Sequence, residues 1–133
     1  MYFLDTNICI YYLNGKYEKV KEHILSTPPN SILIPAIVKA ELLLGAYKSQ
    51  RKDANLKKVH IFLAPFKIIP FSDEMTFSYA EVRYQAESTG QFIGPNDMII
   101  AATVQYYQET LVTNNEKEFR SVEGLKIENW AVG

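Results

Sequence analysis

Cysteine is nearly missing from this chain of 133 residues: Cys9 stands alone. That excludes an intrachain disulfide and fits a reducing compartment. Histidine is scarce too. His23 and His60 fall on helix-like segments and read as surface or half-buried side chains, while Cys9 lies on an apolar helix face and reads as core. Neither charge is in excess. Fourteen Lys and Arg against 15 Asp and Glu give a formal charge of −1, so the broad basic field of a non-specific nucleic-acid binder is lacking, although a local patch remains open. No uncharged apolar stretch approaches the roughly 18 residues of a membrane span. No basic segment precedes an apolar run at the start, where Asp5 interrupts Tyr2-Phe3-Leu4, so a secretory signal is not expected and the cytoplasm is the expected setting. Linkers, repeats and low-complexity stretches are absent, and a hydrophobic content of 47% suits one domain over residues 1–133 with a real core.

What the chain does have is acid in the wrong places. Asp5 closes the opening apolar run, Glu41 interrupts Ala36-Ile37-Val38-Lys39-Ala40-Glu41-Leu42-Leu43-Leu44, and Asp97 opens Met98-Ile99-Ile100-Ala101-Ala102. Carboxylates are rarely buried unless paired or bound to a cation. No comparable set of embedded Lys, Arg or His neutralises these three. Two carboxylates about 4 Å apart repel by about 4 kcal/mol at an effective dielectric near 20. Gathering three would raise their pKa values or destabilise the fold. A hard divalent cation relieves that repulsion, and an all-oxygen donor set without His or Cys favours Mg²⁺ or Mn²⁺ over zinc. Such a site suits phosphodiester hydrolysis.

The periodicity predicts where these residues sit. Tyr2 to Leu4 reads as a buried strand, with Thr6 as N-cap of a helix through Leu13. Further helices are expected over Glu18–Ser26, Ala36 to about Ser49 and Ala54 to Leu63. Another runs from Asp73 to about Ser88 with Ser72 as cap, and the last runs to about Tyr107 with Asn96 as cap. Strands are expected at Ser31–Ile34, Lys67–Ile69, Thr110–Thr113 and Lys126–Glu128. Strands alternating with helices imply an α/β fold of three α/β/α layers around a mainly parallel sheet of about five strands. Ligands in such folds bind beyond the C-terminal ends of the strands, at the switch point of the topology. Asp5 sits at one such end and Asn114-Asn115 follow another.

Each acid also has a plain structural account. Asp5 serves as a helix cap; Glu41 lies at the edge of an apolar stripe with its head in water; Asp97 complements a helix dipole. Two rival functions stand beside metal-dependent hydrolysis. One is an α/β phosphatase or phosphotransferase with Asp5 as covalent nucleophile, although Asn7 occupies the place where haloacid-dehalogenase-like proteins carry a second Asp. The other is a catalytically silent binding module.

Leu4-Asp5-Thr6-Asn7, Ala40-Glu41-Leu42, Ile93-Gly94-Pro95-Asn96-Asp97 and Leu111-Val112-Thr113-Asn114-Asn115, in that order, resemble the PIN domain. The subgroup they resemble is the VapC-type toxin ribonucleases of type II toxin–antitoxin systems, whose ending Gly124-Leu125-Lys126-Ile127-Glu128-Asn129-Trp130 also resembles. The resemblance implies a PIN-like fold and a Mg²⁺-dependent endoribonuclease, with Mn²⁺ as a substitute. Asp5, Glu41 and Asp97 would form its acidic core, and Asp5 and Asp97 would be the principal metal ligands. The fourth acidic position falls in the stretch holding Asn115 and Glu118, of which Glu118 fits the subgroup's pattern better. Thr6, Asn7, Thr113 and Asn115 would be supporting groups. RNA would approach over Lys48, Arg51, Lys52 or Arg83. A homodimer and a cognate antitoxin are also implied, with Tyr11, Tyr12, Leu13, Tyr17, Phe62, Phe66 and the helix Leu42 to Tyr47 as groove candidates. An antitoxin Arg would neutralise the carboxylates.

Overall fold

A computed structural model describes Met1 to Val132. The chain begins with strand β1 (Tyr2–Leu4) and helices α1 (Thr6–Asn14) and α2 (Glu18–Ser26). After a short 3-10 turn at Pro29–Ser31 come β2 (Ile32–Pro35), α3 (Ala36–Lys48) and α4 (Lys52–Leu63). Strand β3 (Lys67–Ile69) leads through a second 3-10 turn, Asp73–Met75, into α5 (Thr76–Ser88) and α6 (Pro95–Tyr107). The chain closes with β4 (Thr110–Val112), the one-turn helix α7 (Glu116–Phe119) and β5 (Lys126–Glu128).

All five strands are parallel, in the order β3-β2-β1-β4-β5. Parallel strands are covered on both faces, and their sequences read as continuous apolar runs rather than alternations. Phe3 and Leu4, Ile32 to Ile34, and Leu111 and Val112 are accordingly buried. The chain builds outward from β1 through β2 to β3, then returns across the sheet to β4. With right-handed crossovers, α1 to α4 cover one face and α5 and α6 the other. The packing agrees: α1 lies on α2 and α3, α3 on α4, and α5 on α6. Helix α3 also meets α6. The switch point therefore falls between β1 and β4, whose C-terminal ends carry Asp5 and Thr113 side by side. The Asp5 N–H donates to Val112 O at 3.1 Å, and the Thr113 N–H to Glu128 O at 2.9 Å.

Three predicted caps are corrected. Asp5, not Thr6, caps α1: its backbone is extended and its side chain accepts from the Ile8 N–H. Gly94, not Asn96, precedes α6, because Pro95, which lacks an N–H and fixes φ, takes the first helical position. Ser72 makes no side-chain cap bond; the turn beyond it is 3-10, and the α-helix begins only at Thr76. The second strand starts one residue later than expected, since Ser31 belongs to the preceding turn. The fourth helix starts two residues earlier, at Lys52. The one-turn α7 went unpredicted, being too short to show a helical period. Cys9 is fully buried in the core.

Helix α6, which carries Asp97, ends at Gln108 in the left-handed region, with φ 55°. That conformation is strained for a side chain with a Cβ and free for glycine. Gln108→Gly is expected to raise the unfolding free energy by about 0.5 kcal/mol, measured by chemical denaturation, whereas a glycine at mid-helix Ala101 lowers it.

Candidate active site

Four acidic side chains gather at the switch point; uncharged donors fasten Asp5, Glu41 and Glu118, and Asp97 lies against Glu118. Asp5 is 3% exposed. One of its oxygens accepts from the Ile8 N–H at 3.0 Å, the Asn7 backbone N–H also favours its anion, and the buried Thr113 hydroxyl bonds its carboxylate. Thr113 is itself placed by the Asn115 N–H, which donates to its Oγ1 at 2.9 Å. The Asn7 side chain is exposed.

Glu41 reaches the site from α3, and both of its oxygens are taken. The Thr6 hydroxyl from α1 donates to Oε1 at 2.5 Å, and the Asn96 amide from α6 donates to Oε2 at 3.1 Å. One carboxylate thereby ties three helices together. Glu118 sits on α7 and is held in the same two-sided way. Its Oε1 accepts from the Gly94 N–H at 2.8 Å, and its Oε2 accepts from the Asn115 amide. Of the two residues in the stretch of the fourth acidic position, Glu118 brings a carboxylate to the cluster and Asn115 donates to it. Asp97, in the first turn of α6, lies beside Glu118. Gly94 joins the two, since a Cβ there would stand 3.9 Å from a Glu118 oxygen and 4.0 Å from an Asp97 oxygen.

The electrostatics follow from this company. Burial pushes Asp5 up to about 6, with the Glu41 charge adding to the rise and the Thr113 and Ile8 hydrogen bonds opposing it. Asp97 is pushed up to about 7 by desolvation first, then by the Glu118 carboxyl and the charges of Asp5 and Glu41. No basic group answers them. Among the described residues the ion pairs are Met1–Glu109, Arg83–Glu87 and Arg120–Glu116, and none touches the four acids. Arg83, a candidate for steering RNA, is held by Glu87 at 3.0 Å.

This donor set, all carboxylate oxygen and uncompensated, fits a hard divalent cation. As the side chains stand, no three His, Cys, Asp or Glu among the described residues close around a single point tightly enough to enclose one. Calcium needs such a cage; Mg²⁺ does not, because it keeps several waters and takes one or two carboxylates. Both histidines are exposed, His23 stacked on Trp130 at 5.0 Å, and neither contributes a ligand.

Two residues of the site escaped the sequence reading. The sequence marks Asn96 as a cap and gives Gly94 no individual role, yet they hold Glu41 and Glu118. The signal for both is their place in the motif Ile93-Gly94-Pro95-Asn96-Asp97.

The sign of the pH dependence follows. In the unfolded chain both aspartates lose their protons near 3.8, whereas the native state keeps them to about 6 and about 7. The native state therefore binds more protons across that window, and stability falls as pH rises through it. In the absence of divalent metal, denaturant titration is expected to show a loss on the order of 2 kcal/mol between pH 4 and pH 8. At pH 8, Asp97→Asn is expected to shift the denaturation midpoint upward, because it removes a charge the fold holds at a cost.

Comparison with known proteins bears on the fold and the family. The chain matches the PIN domain over residues 2–125. It is 44% identical to ribonuclease VapC2 of Rickettsia felis over 131 residues, 98% of each chain. It is 30% identical to the tRNA(fMet)-specific endonuclease VapC of Shigella flexneri, again over 98% of each. Among solved structures it superposes on VapBC2 of Rickettsia felis bound to a promoter DNA fragment with a TM-score of 0.90 at 43% identity, covering 97% of this chain and 98% of that one. DNA-bound VapBC of Salmonella typhimurium gives 0.91 at 29% identity, covering 97% of each. A PIN-domain match over residues 2–125 and 44% identity to a VapC ribonuclease along nearly the full length show that the chain belongs to the PIN-domain family, in its VapC branch.

Proposed function

We propose that this chain is a Mg²⁺-dependent endoribonuclease, the toxin of a type II toxin–antitoxin pair, acting in the cytoplasm. The observation that carries the proposal is the uncompensated cluster of Asp5, Glu41, Asp97 and Glu118 at the switch point of the sheet. Relatives named ribonuclease and endonuclease VapC support the reaction class. Toxin–antitoxin complexes among the structural relatives support the pairing. Mn²⁺ would substitute for Mg²⁺, and among the described residues no helix is long and apolar enough to cross a membrane.

Asp5 and Asp97 would hold the cation, which when bound neutralises the acids and brings an RNA phosphate and a water among them. The protein's own groups then do the ordering. Glu41 and Glu118, each fixed through both oxygens, flank the reacting phosphorus and accept hydrogen bonds from the attacking water, one of them taking its proton. Water oxygen bonds to phosphorus as the bond to the 3′ oxygen breaks, leaving a 5′-phosphate and a 3′-hydroxyl. Thr6, Asn96, Gly94, Asn115 and Thr113 move little, because each is bound to a carboxylate and to its own helix or turn. Asn7 in place of a second Asp two residues after Asp5 counts against the phosphotransferase reading.

An apolar cleft of about 230 Å³ opens beside Glu41, lined by Ile10, Leu13, Leu42, Ala46 and Val59. It suits an antitoxin segment whose Arg would reach the acids. A homodimer completes the proposed assembly.

Purified protein free of antitoxin is expected to cleave RNA with Mg²⁺ or Mn²⁺ and to stop on chelation. Asp5→Asn and Asp97→Asn are expected to lower the rate by on the order of 100-fold or more, and Asn115→Ala by roughly 10-fold. Circular dichroism serves to verify folding. A folded wild type that binds neither metal nor RNA, while still binding an antitoxin, points instead to a silent module. The same titration is expected to raise the melting temperature of the wild type at pH 8 with Mg²⁺, and that of Asp97→Asn far less.

A further inference from the structure

The loop between α5 and α6 carries a phenyl ring with no structural duty. Phe92 is 83% exposed, although its neighbour Ile93 is buried. The loop is pinned on either side of the ring, by the Gln91 N–H to Ala86 O at 2.8 Å and by the Gly94 N–H to the Glu118 carboxylate at 2.8 Å. Phe92 is therefore presented at a fixed place, two residues from a main-chain group that holds one of the four acids. An isolated exposed Phe needs no explanation. This one borders a cleft of about 290 Å³ lined by Gln91, Phe92, Asn115, Lys117, Glu118 and Ser121. That cleft shares Asn115 and Glu118 with the carboxylate cluster, so it opens directly off the site. Its cation is also free. Arg83 and Arg120 are engaged by glutamates one turn away, whereas Lys117 makes no ion pair among the described residues.

An aromatic face, two side-chain amides and an unpaired cation next to the reacting centre match the chemistry of single-stranded RNA. Unstacked bases rest on aromatic rings, their edges meet amides, and the backbone meets a cation. Given the endoribonuclease reading, on which this rests, we propose that Phe92, Gln91, Asn115 and Lys117 form a subsite for the unpaired nucleotide next to the scissile bond. The base stacks on Phe92 with its edge toward Gln91 and Asn115, and its phosphate lies by Lys117. The enzyme thereby requires a flexible, unpaired nucleotide at its cutting point.

The test uses Asp97→Asn, which traps substrate without cleaving it. The probe is an unstructured fluorescent oligoribonucleotide carrying all four bases, together with versions in which one base at a time is replaced by an abasic sugar. Phe92→Ala in that background is expected to weaken binding roughly tenfold and Phe92→Trp to preserve it. One abasic position is expected to cost the same factor with Phe92 present and nothing further with Phe92→Ala. Lys117→Ala is expected to weaken all oligonucleotides alike and to lessen the salt dependence. If Phe92→Ala binds every oligonucleotide as tightly as its parent, the subsite is wrong even where wild type cleaves RNA. A Phe92→Ala loss that no abasic position mimics also overturns it, as does a Phe92→Ala defect confined to antitoxin binding, which would make the ring a protein contact. A wild type that neither binds nor cleaves RNA removes the nuclease reading and the subsite with it.

Discussion

Repulsion among like charges is the constraint around which this structure is arranged. Asp5, Glu41, Asp97 and Glu118 converge from four segments, no cation among the described residues pairs with any of them, and burial together with that repulsion drives both aspartates toward neutrality. A fold selected for stability alone would place a lysine or an apolar side chain there. Retaining the acids is costly, and the cost is confined to one crevice. Everything around the crevice serves to hold charges in place without cancelling them. The donors are hydroxyls, amides and main-chain N–H groups, which orient a carboxylate while leaving its charge available to a bound cation.

The scaffold suits that task. A parallel sheet ends all its strands on one side, so β1 and β4 deliver Asp5 and Thr113 to the same rim. The reversal of direction after β3 brings α6 to the opposite face and its N-terminus, with Asn96 and Asp97, to that rim too. Glu41 then crosses the gap, receiving Thr6 from one side and Asn96 from the other. Stability and site are coupled through this residue, because the hydrogen bonds that position it also join helices from the two layers.

Much of the fold was legible because its signals are local. Buried parallel strands are short apolar runs, helices show their period, and Gly, Pro and Asn mark the ends, so alternation of the two implied the layered sheet. The errors were local as well. Thr6 and Asn96 resemble ideal caps, and both instead spend their side chains on Glu41. Capping and ligand-holding use the same donors, and sequence alone does not say which partner is nearer. Helix α7 is a single turn and Glu118 could be ranked above Asn115 only by resemblance; what divides their roles is a hydrogen bond between them.

The sequence by itself determined the class of fold and singled out Asp5, Glu41 and Asp97, since a carboxylate inside an apolar run demands an explanation wherever the run is placed. Tertiary structure decided the rest. Only in three dimensions do Gly94, Asn96, Asn115 and Thr113 become the holders of those acids, because their partners lie far away along the chain or across a turn. Only there does Phe92 stand beside Glu118, which is 26 residues distant in sequence. Hydrophobic pattern is a property of neighbours along the chain, whereas orientation and electrostatic coupling depend on distances that exist only after the chain has folded.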